Sequence, residues 1–113
     1  MIRVRLDVDE RGLITGCQMK GHSGYAEAGH DIVCAAVSVL GAACVNSLES
    51  VCGIQPILEG NQDGLLSFRL PENLNERQLH DAQVLMGALR QGLSDVSDAY
   101  PRHVQLAIQE RRD

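Results

Sequence analysis

The sequence predicts a two-layer α+β domain, a mainly antiparallel sheet with two helices on one face, in the order ββαββαβ. Three observations predict it. Ile2, Val4, Leu6 and Val8 alternate with Arg3, Arg5, Asp7 and Asp9, the period of a strand with one buried face. Apolar residues recur at steps of three and four from Val33 to Leu48 and from Leu79 to Val96, the period of helices that bury a stripe. Turn-forming stretches join the alternating runs into hairpins, and hairpins pair antiparallel.

The elements follow in order. After the first strand, Asp9-Glu10-Arg11-Gly12 reads as a turn, and Leu13, Thr15, Cys17 and Met19 then share a face of a second strand. Gly21 to His30 has three glycines and no apolar period, so it reads as a mobile loop. Asp31 is an N-cap for a helix that runs to about Cys52, with Gly53 as its stop. That helix is apolar on much of its circumference, which makes it central. Ile54 to Leu58 and Leu65 to Leu70 read as strands, with a turn-rich stretch from Glu59 to Gly64 between them. Pro56 marks an edge or a strand start. Asn75 and Gln78 form a capping box for the second helix, which Pro101 ends. Val104, Leu106 and Ile108 alternate as a last strand.

With 113 residues, residues 1–113 read as a single domain. The apolar share of 44% and charged share of 22% exclude disorder and collagen. No uninterrupted apolar run reaches the ~18 residues of a membrane span, and the N-terminus alternates charge with apolar residues, unlike a secretory signal. Net charge is −5, which argues against direct nucleic-acid binding by phosphate neutralisation. Tyr25, Phe68 and Tyr100 are the only aromatic residues, too few for a base-stacking platform. Cys17, Cys34, Cys44 and Cys52 include no Cys-x-x-Cys pair, so a cytoplasmic location fits better than a disulfide framework.

The chemistry concentrates between Gly21 and Ser38. Cys34 falls three residues after the cap Asp31, in the first turn of its helix. The positive end of the helix dipole favours a thiolate there, and free N–H groups would bind an oxyanion formed beside it. His22 in the glycine-rich loop would supply an acid–base partner. Spacing alone also fits a buried core thiol and a loop histidine.

The block Gly21-His22, then Gly29 and Asp31-Ile32-Val33-Cys34-Ala35-Ala36-Val37-Ser38, resembles the signature of the ribosomal-processing cysteine protease Prp family. The resemblance covers the whole chain in length and element order. The family usually has Gly-His-Ala where this chain has Gly21-His22-Ser23. The resemblance implies a cysteine endopeptidase that acts as a homodimer. Its implied substrate is the N-terminal extension of a large-subunit ribosomal protein, the twenty-seventh in the usual numbering, cut after a phenylalanine-rich apolar stretch ahead of a basic tail. It implies His22 and Cys34 as the catalytic pair, with Asp31 and Ser38 as site neighbours, and no cofactor.

Several readings compete at individual residues. Asp31 is a cap, or a third member that orients His22; the cap is favoured, because a carboxylate there would also raise the thiol pKa. Ser38 lines the cleft or bonds back to a helix carbonyl. Gly21, Gly24 and Gly29 would let the loop close over a peptide. His30 faces solvent, and Cys17, Cys44 and Cys52 pack in the core. Between Gly21 and Phe68 there is no Lys or Arg, while Glu27, Asp31, Glu49, Glu59 and Asp63 are acidic, a balance that would attract a basic segment. A zinc site made from His22, His30, Asp31 and Cys34 matches no standard spacing and would cost Asp31 its cap, so no metal is expected. The rival from another class is a non-catalytic ribosome-associated binding module of the same fold. No membrane partner is expected.

Overall fold

The computed structural model describes residues 1–21, 31–62 and 64–111. The first hairpin joins β1 (Ile2–Val8) to β2 (Ile14–Lys20). Its turn is held by Asp9, whose Oδ1 accepts the backbone N–H of Arg11 at 2.9 Å and of Leu13 at 3.1 Å. Gly12 takes φ 81°, which a side chain would resist. Ile2, Val4, Leu6, Cys17 and Met19 face the core, as their alternation requires. The alternation breaks at the start of β2. Leu6 pairs with Cys17 and Asp7 with Gly16, but Val8 pairs with Ile14, so Thr15 is an extra residue in the ladder. This bulge turns Ile14 into the core in place of Leu13 and Thr15.

Helix α1 (Ile32–Ser50) begins at its N-cap Asp31. It ends two residues short of the expected Cys52. Gly53, at φ 66°, then reverses the chain, and the Ile54 N–H donates to the Leu48 carbonyl at 2.8 Å. By length and apolarity alone α1 passes for a membrane span, since polar Ser38, Asn46 and Ser47 interrupt the run without lowering it far. In this fold it lies on the sheet and buries Val33, Val37, Gly41, Cys44 and Leu48. Gly41 permits the close approach. A Cβ there would lie 2.7 Å from Leu66 Cδ2 and 2.9 Å from Met19 Sδ.

The third strand, β3 (Ile57–Gln62), begins three residues later than its apolar run suggests and takes in Glu59, Gly60, Asn61 and Gln62, which read as turn. Pro56 has no N–H for a ladder, so pairing starts beyond it. β3 pairs with β4 (Leu65–Arg69), with a bulge between Leu58 and Gly60, and β4 pairs with β2. The expected capping box opens α2 (Glu76–Ala99): Asn75 Oδ1 accepts the Gln78 N–H at 2.8 Å, and Gln78 Oε1 accepts the Asn75 N–H at 3.2 Å. Ala82, Met86, Leu89 and Leu93 of α2 join the same core as α1 and the sheet. The chain returns as β5 (Val104–Glu110), parallel to β1.

The sheet order is β3-β4-β2-β1-β5. Three of its pairings are antiparallel and one is parallel, so the sheet is mixed while remaining mainly antiparallel. Both helices contribute buried residues to one core with the sheet. In β5 Val104 is buried and Leu106 packs partly buried against that core, but Ile108 is 43% exposed.

Candidate active site

Cys34 is the third residue of α1 and is partly exposed. Asp31 fixes its backbone. The Asp31 carboxylate is buried, and its Oδ1 accepts the N–H of Val33 at 3.0 Å and of Cys34 at 2.9 Å. The Asp31 carbonyl accepts the Ala35 N–H at 3.1 Å and starts the helical ladder. This geometry is the cap the sequence favoured. Two of the N–H groups at the helix start, those of Val33 and Cys34, are therefore bonded to the cap.

A cleft of about 380 Å³ opens beside the thiol, between α1 and the β3–β4 hairpin. Cys34, Ser38, Ala42 and Val45 line it from the helix, where a spacing of four, four and three residues puts them on one face. Leu58, Leu65 and Leu66 line it from the hairpin, and Ile2 and Met19 from the central strands. Ser38 therefore stands one turn beyond Cys34 on the cleft wall.

Gly21, which follows β2 at φ 101°, also lines the cleft. Its N–H donates to the Gly64 carbonyl at 2.8 Å, and a Cβ there would lie 2.6 Å from the Met1 carbonyl oxygen. Gly21 thus ties the end of β2 to Gly64. His22, Gly24, Gly29, His30 and Glu27 lie outside the described residues, as does Asp63. None of the expected acidic residues is among the described residues that line the cleft. Among the described residues lining it, Lys20 is the only charged side chain. Asp31 is buried as a cap, and Glu59 lies 3.6 Å from Arg69.

The other three thiols lie outside the cleft lining. None of the four cysteines is in a disulfide. Burial pushes the Cys17 thiol up to about 12, with Cys44 and Asp7 adding to the effect. Burial likewise raises Cys44 to about 11. Cys44 Sγ packs 3.7 Å from Met86 Sδ. Cys52 packs partly buried against the core, and its thiol is raised by desolvation and then by the Asp81 carboxylate. The cleft walls were missed by sequence reasoning, because they come from five separate segments with no common pattern.

Comparison with known proteins identifies the family and the fold. The family model described as cysteine protease Prp matches residues 1–105. The ribosomal processing cysteine protease Prp of Bacillus subtilis is 29% identical over 98 residues, which cover 86% of this chain and 87% of that protein. Among solved structures, the Staphylococcus aureus ribosomal processing protease Prp with a covalently linked product peptide superimposes with a TM-score of 0.86 at 26% identity, covering 96% of this chain and all of that one. SMU.848 from Streptococcus mutans superimposes with a TM-score of 0.81 at 28% identity, covering 98% and 96% of the two chains.

Proposed function

The chain belongs to the Prp family of cysteine proteases and is itself a cysteine protease, and from that premise we propose that it removes the N-terminal extension of a large-subunit ribosomal protein, the twenty-seventh in the usual numbering. The observation that carries this reading is the placement of Cys34: a partly exposed thiol on a capped helix start, at the wall of an apolar cleft. The apolar residues that line the cleft suit an extended apolar peptide, and the S. aureus structure holds a product peptide covalently linked to a relative with the same fold.

In the proposed mechanism the Cys34 thiolate attacks the scissile carbonyl carbon and forms a C–S bond. The tetrahedral intermediate collapses with cleavage of the C–N bond, and protonated His22 gives its proton to the leaving amine. Water, deprotonated by His22, then attacks the thioester. The N-terminal fragment leaves as a carboxylic acid and the thiol is regenerated. Asp31 and Ser38 support the site, the first by fixing the helix start and the second by lining the cleft. A single catalytic domain spans residues 1–113.

A ribosomal substrate places the reaction in the cytoplasm. The homodimer that the family resemblance implies has support in a second face of α1. Ile32, Ala36, Val39 and Ala43 are exposed at the spacing of a helix–helix seam, with Ile32 at 55% and Val39 at 66%.

The test uses a recombinant ribosomal protein that carries an apolar, phenylalanine-containing extension ahead of a basic tail. Wild type is expected to release the extension, while Cys34→Ala and His22→Ala, folded by circular dichroism, leave it intact. Processing by both variants would refute the assignment.

A further inference from the structure

We propose that the cleft reads about five residues of extended peptide on the acyl side of the scissile bond, and that Asn46 binds the backbone of the outermost one. The proposal rests on the hydrolytic reading for the position of the cut. The cleft follows α1 from Cys34 to Asn46, both of which line it. Those residues are twelve positions apart, so at the helical rise the wall is ~18 Å long. An extended strand rises ~3.3 Å per residue, so about five residues match that length.

The chemistry of the wall selects which part of the substrate lies there. Leu58, Leu65 and Val45 offer apolar contact, and no carboxylate lines the cleft among the described residues. A basic tail finds no countercharge among those residues. The apolar segment does find a matching surface, and in the proposed substrate that segment precedes the cut and becomes the acyl group.

Two carboxamides interrupt the apolar wall, Asn46 on α1 and Asn61 on β3. Both are exposed, and no described residue bonds to either side-chain amide. A carboxamide offers one acceptor and two donors, the complement of a peptide group in an extended chain. Ala42 lies between Cys34 and Asn46 on the same wall, and its small side chain leaves the groove open.

The experiment measures fluorescence anisotropy of labelled apolar peptides, lengthened one residue at a time on the acyl side, binding to the Cys34→Ala variant. Affinity is expected to rise with each added residue and level off at about five. Adding Asn46→Ala is expected to weaken the longest peptides by about fivefold and leave the shortest unchanged. Ala42→Leu, an exposed change that spares the core, is expected to block the long peptides selectively. Affinity that is flat with length, or indifferent to both changes, overturns the proposal, as does no binding at all. Wild-type cleavage of the same peptides separates the two claims. Length-dependent binding without cleavage keeps the cleft assignment and removes the hydrolytic reading. Cleavage without length dependence does the reverse.

Discussion

The carboxylate of Asp31 accepts the backbone N–H of Cys34 at 2.9 Å, so the residue that starts the central helix also fixes the position of the proposed nucleophile. The same oxygen accepts the Val33 N–H at 3.0 Å. Asn is as good a cap as Asp, whereas Ala removes the acceptor. Asp31→Ala is expected to lose about 1–2 kcal/mol of stability, and Asp31→Asn only a few tenths of that order. Activity should follow the cap: most is retained in Asp31→Asn and much is lost in Asp31→Ala. Urea unfolding and peptide cleavage on both variants check this. An Asp31→Asn enzyme that is stable but inactive would assign the negative charge itself a role in the reaction.

The thiols should separate by reactivity. Cys17 and Cys44 are buried and held at about 12 and about 11, so neither is accessible or ionised in the native protein near neutral pH. Iodoacetamide at mildly alkaline pH is expected to modify Cys34 first, with Cys17 and Cys44 reacting only after unfolding. Peptide mapping by mass spectrometry reads the order directly.

The same two thiols make stability fall at high pH. Their folded values lie above the ordinary thiol value of 9.0, so between 9 and about 11 to 12 the unfolded chain binds fewer protons than the native one. Their contribution is fully present below pH 9 and is lost as pH rises through the folded values. A single raised thiol tilts the curve by up to ~1.4 kcal/mol per pH unit in that window. Cys17→Ala should therefore lose less stability than wild type between pH 8 and pH 10, as measured by urea unfolding. Parallel curves would contradict the burial argument.

Two helical glycines should respond in opposite directions. At Gly41 an added Cβ meets Leu66 and Met19 within 3 Å, and both of those residues line the cleft. Gly41→Val is expected to cost about 1–3 kcal/mol by overpacking and to lower cleavage by displacing that wall. At Gly87 in α2 no atom lies within 4 Å of an added Cβ. Gly87→Ala should stabilise the protein by about 0.5–1 kcal/mol, with activity unchanged. Thermal melts and a cleavage assay compare the two.

Gln83 closes the bulge at the start of β2. Its Oε1 accepts the Ile14 N–H and its Nε2 donates to the Ile14 carbonyl, both at 2.8 Å. Gln83→Leu leaves both backbone groups without those partners and should cost about 1–3 kcal/mol while sparing catalysis. Denaturant unfolding alongside a cleavage assay tests the separation.

These cases also show which features a sequence displays. The caps Asp31 and Asn75 are legible because each acts on residues two or three positions away. The helical stripes are legible because the 3.6-residue period is local. The bulge at Thr15 is not, since its support, Gln83, lies 69 residues from Ile14. The start of β3 was displaced because the apolar run Ile54 to Leu58 includes Ile54, which is buried as the chain leaves α1 rather than as a ladder residue. The site divides in the same way. Cys34 is marked by its cap and by its motif, whereas the cleft that would receive a peptide exists only once α1 lies across the hairpin.

The central claim is that Cys34 is the nucleophile, and trapping the acyl-enzyme tests it most directly. A cleavable peptide is mixed with wild type, quenched in acid during turnover, and the intact protein is weighed. The mechanism predicts a mass increase equal to the N-terminal product fragment less one water, mapping to Cys34 and absent from Cys34→Ala. Cleavage that continues in Cys34→Ala, or an adduct on another residue, would contradict it.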